Sequence, residues 1–472
     1  MRQLIWFRTD LRIRDNTALC AAMSAGPTVA VFILSPAQWQ QHHDAASKID
    51  FWLRNVQALQ NELAQLNVPL LIRVANEWDT IPEVLQTLCH EHHITALHIN
   101  QDYGVHETRR DQAVAQQLQQ ENIAVHSYVD RLLFEPGTVL TRAGGYFKVF
   151  TQFKNACYQR FSQTLPVCLN IPTPQAPLAI SNDQIPTTLP EFATPSDELR
   201  AMWPAGEHEA LDRLHRFCEW SLLQYDKQRD FPALMGTSQL SPYLACGVLS
   251  PRQCIHAACL INNNQFKTGN PGVITWITEL LWREFYIHIL VGFPQVSRHR
   301  PFREQTERVA WRNAPDELVA WQEGRTGFPL IDAAMRQLLA TGWMHNRLRM
   351  VVAMFLTKNL LIDWRLGEQF FMRHLIDGDL AANNGGWQWS ASTGTDAVPW
   401  FRLFNPITQS QRFDPTGHFI RHWLPELAHL DDKSLHDPSQ LGGLFGATNY
   451  PPPMVNLAAS RERALQAFKA IS

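Results

Sequence analysis

The sequence has no C-x-x-C pair among its eight cysteines, and the Cys254/Cys259 spacing fits no usual zinc or iron–sulfur pattern. No metal site is expected, and the cysteines read as buried free thiols in a reducing compartment. No apolar run approaches the roughly 18 residues of a membrane span. The opening MRQLIWFRTD has neither an h-region nor a small-residue cleavage site. These absences point to the cytoplasm and away from a membrane. The turn after the first strand-like run reads RTDLRIRD, not G-x-G-x-x-G, and G-x-x-x-x-G-K-[ST] occurs nowhere. A plain NAD enzyme or a P-loop ATPase is therefore disfavoured. A strong charge bias is also missing. Net charge is −3, with 15 basic and 19 acidic residues up to position 200, then 26 and 25 beyond it. Any nucleic-acid surface has to be a local patch. RHRPFR (298–303) is either such a patch or an ordinary solvated loop.

Tryptophan is in excess, sixteen against eight tyrosines. Excess indole serves as stacking platforms, as electron-transfer steps or as core filling. With 45% hydrophobic and 18% charged residues over 472 positions, the chain is globular and long enough for two or three domains.

The first 130 residues alternate. LIWF (4–7), VAVFIL (29–34), PLLIRV (69–74), TALHI (95–99) and IAVHS (123–127) read as strands. Helical patterns at 48–66, 80–92 and 106–121 separate the later ones. Ile49, Trp52, Leu53, Val56, Leu59, Leu63 and Leu66 form the stripe of the longest. This alternation predicts a doubly wound parallel sheet. Eight prolines between 166 and 204 mark an extended connector. Beyond 207 the pattern is helical: 207–228, 242–246, 251–262, 272–291, 328–341 and 344–362. The expected architecture is an α/β domain (1–130), a linker (131–206) and an all-α domain (207–472).

Four stretches carry polar groups where a cavity wall needs them. In GTSQLSPYLACGVLSP (236–251), Ser241-Pro242 and Ser250-Pro251 read as an N-cap followed by proline. Thr237, Ser238 and Ser241 put hydroxyls at a helix start, which suits a pyrophosphate or simply a capped helix pair. In TWITELLWREFYIHIL, Trp276, Glu279, Arg283 and Tyr286 fall at i, i+3, i+7 and i+10, with Trp282 flanking. Glu279 and Arg283 are either an i,i+4 pair or part of a cavity. In WMHNRLRM (343–350), Asn346, Arg349 and Met350 share a face and Arg347 points elsewhere. In DGDLAANNGGWQWSASTGTD, a helix would align Asp379, Asn383 and Trp387, while Trp387 and Trp389 would face different surroundings.

These motifs, with WFRTDLRIRDNTAL at the start, together resemble the DNA photolyase/cryptochrome family over essentially the whole chain. The resemblance implies an α/β antenna domain, a helical FAD-binding domain, and light-driven repair of cyclobutane pyrimidine dimers in UV-damaged DNA. It implies that excited FADH⁻ donates an electron to a flipped-out dimer, whose ring opens before the electron returns. By the same resemblance, Tyr225, Thr237, Ser238, Gln239, Leu240 and Ser241 contact the FAD phosphates and ribose. Trp276, Glu279, Arg283, Asn346, Arg349, Asp377, Gly378, Asp379 and Asn383 line the flavin cavity, with Arg349 and Asp377 as an ion pair and Asn383 beside flavin N5. Glu279, Asn346 and Met350 meet the dimer, and Trp282 and Trp389 wedge around it. Arg229 and Arg347 resemble phosphate contacts. Trp311, Trp364 and Trp387 match the family's electron relay. An arginine is common where Gln239 stands, so one phosphate contact is expected to be missing.

The antenna match departs further. The family's folate-binding members carry an Asn-Glu pair where this chain has His106-Glu107. His42 and His43 are the histidine candidates, and Arg298 replaces a lysine. Methenyltetrahydrofolate is the expected antenna; a deazaflavin, a second flavin or none remain alternatives. His345-Asn346 replaces the His-His pair of the six-four branch and argues against that substrate. The rival to a repair enzyme is a cryptochrome photoreceptor, against which Met350, Asn383 and the short tail weigh. A dark flavoprotein oxidoreductase would need a nicotinamide fingerprint. A monomer is expected.

Overall fold

The computed structural model describes residues 1–161, 165–441 and 449–471; residues 162–164 of the expected linker lie outside this set. The chain divides into two compact units. The first comprises Met1–Leu223, Ser238–Pro294 and Ile376–Asp379; the second comprises Gln224–Thr237, Gln295–Leu375 and the chain from Leu380 on.

The first unit is built on five parallel strands, β1 (Arg2–Phe7), β2 (Thr28–Leu34), β3 (Leu70–Val74), β4 (Ile94–Asn100) and β5 (Ala124–Tyr128), in the order 3-2-1-4-5. Every residue of β2 is buried, which is why it reads as an unbroken apolar run. The helices α1 (Ala46–Gln65) and α2 (Val105–Gln120) belong to this unit. In α1 the expected stripe is buried except for Trp52, which is half-buried against Trp39; Phe51 is buried instead.

The proline-rich connector does more than span a distance. Asn182 accepts the Leu70 N–H at 2.8 Å, the Asp183 carboxylate accepts that of Ile72 at 2.9 Å, and Gln175 donates to the carbonyls of Thr28 and Asn67. It thus covers the open side of β3, which would otherwise be an unpaired edge. The unusual turn after β1 is also explained. Asp10, Arg12, Asp15 and Asn16 are all buried and bond inward. Arg12 and Arg252 flank Asp130 at 2.5 and 2.9 Å. Burial alone would raise the Asp130 carboxyl; Arg12 and Arg252 override it and hold it at about 2. Side chains occupy the turn where a nucleotide fingerprint would leave room. Gly247, at φ +69°, packs so close that a Cβ would stand 1.9 Å from the Thr9 carbonyl oxygen.

The unit also holds α3 (Glu207–Trp220), the short α4 (Ser241–Ala245), α5 (Pro251–Ile261) and α6 (Pro271–Gly292). The helical stretch expected over 207–228 is α3 followed by short helical turns at Leu222–Gln224 and Tyr225–Gln228. Ser250 caps α5 in a full capping box with Gln253. Ser241 does not cap α4. Leu240 already has helical φ and ψ, so the turn begins one residue earlier and Ser241 is its first residue.

The second unit contains α7 (Pro329–Thr341), α8 (Asn346–Met354), α9 (Trp364–His374) and α10 (Leu380–Ala391) around one apolar cluster. The expected helix 344–362 is α8 followed by a π-helical turn, Phe355–Asn359. This turn carries Lys358, fully buried, with its amine on the Ser392 hydroxyl at 2.9 Å. Burial pushes its pKa well below the ordinary lysine value. No helix among the described residues is long and apolar enough to cross a membrane.

Candidate functional site

In the second unit, α10 separates its two tryptophans as residues at i and i+2 must. Trp387 is buried, edge-on to Phe371 at 5.0 Å and to Trp321 at 6.0 Å. Gly367 makes this possible, because a Cβ there would sit 2.1 Å from the indole. Trp389 is half-exposed. Trp364 shares the buried cluster with Trp387, and Trp311 packs at its margin. The three residues of the expected relay are therefore brought into one aromatic region.

Asn383 lies one turn before Trp387 and is buried. Its amide nitrogen donates to the Glu368 main-chain carbonyl at 3.0 Å. A carbonyl only accepts, so this bond fixes the amide's orientation and turns Oδ1 the other way, as an acceptor. Behind it stands a polar network that local motifs did not reveal. The Glu368 carboxylate, itself buried, accepts from the Asn384 amide at 2.7 Å and pairs with His299 at 3.0 Å; Gln388 bonds Asn384 at 2.9 Å. The bond to Glu368 raises the His299 pKa.

At the start of α8, Asn346 is exposed, Arg349 and Met350 are half-buried, and Arg349 Nε donates to the Met344 carbonyl at 2.8 Å. Arg347 does not point away from this face. Its guanidinium reaches the Met350 sulfur at 3.9 Å, pairs with Asp230 at 2.8 Å and stacks on Phe413, because i and i+3 are helical neighbours. His345 caps α8, its Nδ1 accepting the Arg347 N–H at 3.2 Å, which places the proton on Nε2; burial pushes its pKa down to about 4. Tyr225 is buried under the Arg229 guanidinium at 5.4 Å, and Thr237 is half-buried. Arg298 is exposed in a 3-10 turn of this unit.

In the first unit, α6 carries Glu279, Trp282, Arg283 and Tyr286 as a half-buried stripe in a largely buried helix. Trp276 is buried against Phe217 at 5.1 Å. Trp282 stacks on Phe150 with centroids 3.6 Å apart. Arg283 donates to the Arg131 carbonyl at 2.9 Å. The adjacent Glu284 is the structural carboxylate, accepting the N–H groups of Leu133 and Phe134. In the loop before α4, Ser238 and Gln239 are half-buried and Leu240 is buried. Gln239 takes a left-handed φ of +50°, and its side-chain oxygen accepts from Arg213 at 3.1 Å. A guanidinium from α3 thus stands beside Gln239. The loop 376–379 brings Asp377, Gly378 and Asp379 to this unit.

In the first unit, past the ends of β2 and β4, the antenna candidates His42 and His106 meet, with His43 and Glu107 next to them in the chain; Arg298 belongs to the second unit. His42 lies 4.8 Å from Trp78 and 5.7 Å from His106, and burial pushes its pKa down to about 4. His43 adopts a left-handed φ of +59° beside it. Glu107 folds back on the start of α2, where Gly104 alone leaves it room. Burial, then Asp102, pushes its carboxyl up to about 7. Asp102 is held well below the carboxylate range, burial being overridden by Arg8, Arg110 and Arg131.

Taken by itself, the second unit offers an oriented neutral acceptor at Asn383. The first unit offers the guanidiniums of Arg213 and Arg283, the hydroxyls of Ser238 and Ser241, and a stripe of half-buried aromatics on α6. Residues 276–470 match the model of the FAD binding domain of DNA photolyase, and residues 3–175 that of DNA photolyase. The deoxyribodipyrimidine photo-lyase of Salmonella typhimurium is 44% identical, covering 99% of this chain and 98% of its own length. The chain belongs to the DNA photolyase family. It carries that family's FAD-binding domain. Among solved structures, the class III photolyase of Agrobacterium tumefaciens matches this family member at a TM-score of 0.88 and 34% identity, covering 100% of this chain and 97% of that one. A Synechocystis cryptochrome matches at 0.85 and 28%, covering 99% of each.

Proposed function

We propose that the chain is a deoxyribodipyrimidine photo-lyase that repairs cyclobutane pyrimidine dimers in single- or double-stranded DNA under blue light. Bound FAD, when reduced, supplies the photoexcited electron donor. The protein's own residues bind, orient and keep water out. The observation that carries the reading is the locked amide of Asn383, whose Oδ1 is presented as a permanent acceptor for a ring N–H. Glu279 and Asn346 hydrogen-bond the pyrimidines, Met350 adds a soft apolar contact, and Trp282 and Trp389 stack around the lesion. Arg229 and Arg347 contact phosphates; Asp230 holds Arg347 until DNA displaces it. Arg213 takes the role of the absent arginine at 239.

Methenyltetrahydrofolate is proposed as the antenna, on His42, His43, His106, Glu107 and Arg298. Residues 1–130 form the antenna domain, 131–206 the connector and 207–472 the FAD domain. The protein acts in the cytoplasm as a monomer. The test is to mix reduced holoprotein with an oligonucleotide holding one thymine dimer and quantify intact thymines with and without illumination. Restoration that requires light is expected. Its absence with FAD bound and reduced would overturn the repair reading in favour of a cryptochrome.

A further inference from the structure

The loop 376–379 is held by two cations that no motif singled out. Lys48, on α1, is buried, with its amine on the Asp44 carboxylate at 2.5 Å, above the Trp52 ring at 4.9 Å, and donating to the Gly378 carbonyl at 2.6 Å. Arg131, beyond β5, reaches Asp379 at 3.4 Å with one terminal nitrogen and Asp102 at 3.0 Å with the other. Asp102 pairs with Arg110 at 3.0 Å, and Arg110 stacks on Trp6 and Trp78 beside His42. One continuous run of charge-assisted contacts thus leads from the antenna candidates to the loop.

Burying an ammonium is costly unless its donors are used. Here each donor direction of Lys48 meets a carboxylate, a π face or the loop's backbone. The Gly378 carbonyl and the Asp379 carboxylate are thus fixed from two different segments of the chain. We infer that Lys48 and Arg131 are positioning residues for the flavin-facing loop: Lys48 sets its backbone and Arg131 sets the Asp379 carboxylate, so that the sheet side of the first unit determines how the loop meets the cofactor. This rests on the reading of Asp377 and Asp379 as flavin-ring partners.

The test uses FAD-loaded protein and compares Arg131→Met, Arg131→Lys, Asp379→Asn and the double variant Arg131→Met/Asp379→Asn. Lys48→Met is made together with Asp44→Asn, so that no carboxylate is left unpaired. The readouts are FAD dissociation, the fine structure of the flavin absorption band, and KM against kcat for dimer repair. Arg131→Met and the Lys48 variant are each expected to speed FAD loss about tenfold or more, in line with lost hydrogen bonds to charged groups. They should alter the flavin band and leave KM for DNA unchanged. Arg131→Lys should recover part of the loss. Arg131→Met should add little in the Asp379→Asn background, since the two act as one unit. Additive losses, or KM rising with FAD retained, would overturn the inference. If Asp379→Asn weakens FAD binding while the Arg131 and Lys48 variants do not, the inference alone falls. If Asp379→Asn is silent, the flavin reading of the loop falls and takes the inference with it.

Discussion

Beside the sheet, Asp102 faces Arg8, Arg110 and Arg131; behind α10, Asn383 faces a main-chain carbonyl, and the hydrogen-bonded pair Glu368–His299 stands behind it. The first cluster keeps its groups ionised by matching charge with charge. The second puts a neutral amide in front and uses charge only to brace it. An amide in that place cannot titrate, so its hydrogen-bonding role is the same at every pH. The difference teaches which region is built to hold anionic or charged groups and which to present one fixed acceptor.

The comparison breaks most visibly if its hub is removed. Asp102→Ala removes the carboxylate that three buried guanidiniums share, leaving only Asp111 for Arg8 and Arg110 and Asp379 for Arg131, and is expected to cost about 3–5 kcal/mol, measured by denaturant unfolding. Gly367→Ala attacks the other region by packing, driving a methyl into Trp387, and should cost roughly 1–3 kcal/mol. Asn383→Asp removes the donor to the Glu368 carbonyl and should cost about 1–3 kcal/mol. It should also weaken repair, whereas Asn383→Gln, if it repairs normally, would show that the locked orientation is unimportant.

The two units also hold groups that titrate in opposite senses. Glu107 has a folded pKa of about 7 against an ordinary 4.5, so the folded state keeps its proton longer than the unfolded chain. Stability from this group therefore falls as pH rises from 4.5 to 7. His345 has a folded pKa of about 4 against 6.5, so its contribution is full above 6.5 and is lost as pH falls towards 4. Glu107→Gln should flatten the first slope and His345→Asn the second, read from melting temperature against pH. An unchanged slope in either variant would contradict the assignment.

Sequence reached far where the signal was local. Strands such as Thr28–Leu34 declare themselves by continuous burial, and Pro271–Gly292 by length and periodicity. The motifs placed Asn383, Trp387 and the α6 stripe because each lies within a few helical turns. Three kinds of feature stayed hidden. Lys48 and Arg131 meet their loop across 330 and 248 residues, which no window spans. The π-helical turn at Phe355–Asn359 has the same composition as a helix core. The Ser241 cap failed by one residue because Leu240 had already entered the helical region.

On the proposed reading α10 divides its labour, with Trp387 on the flavin side and Trp389 on the DNA side. The direct measurement is to pair Trp387→Phe with Trp389→Ala, following photoreduction of bound FAD and affinity for dimer-containing DNA in each. Trp387→Phe is expected to suppress photoreduction with DNA affinity intact. Trp389→Ala is expected to weaken DNA binding with FAD retained and photoreducible. Loss of both properties in both variants would contradict the division.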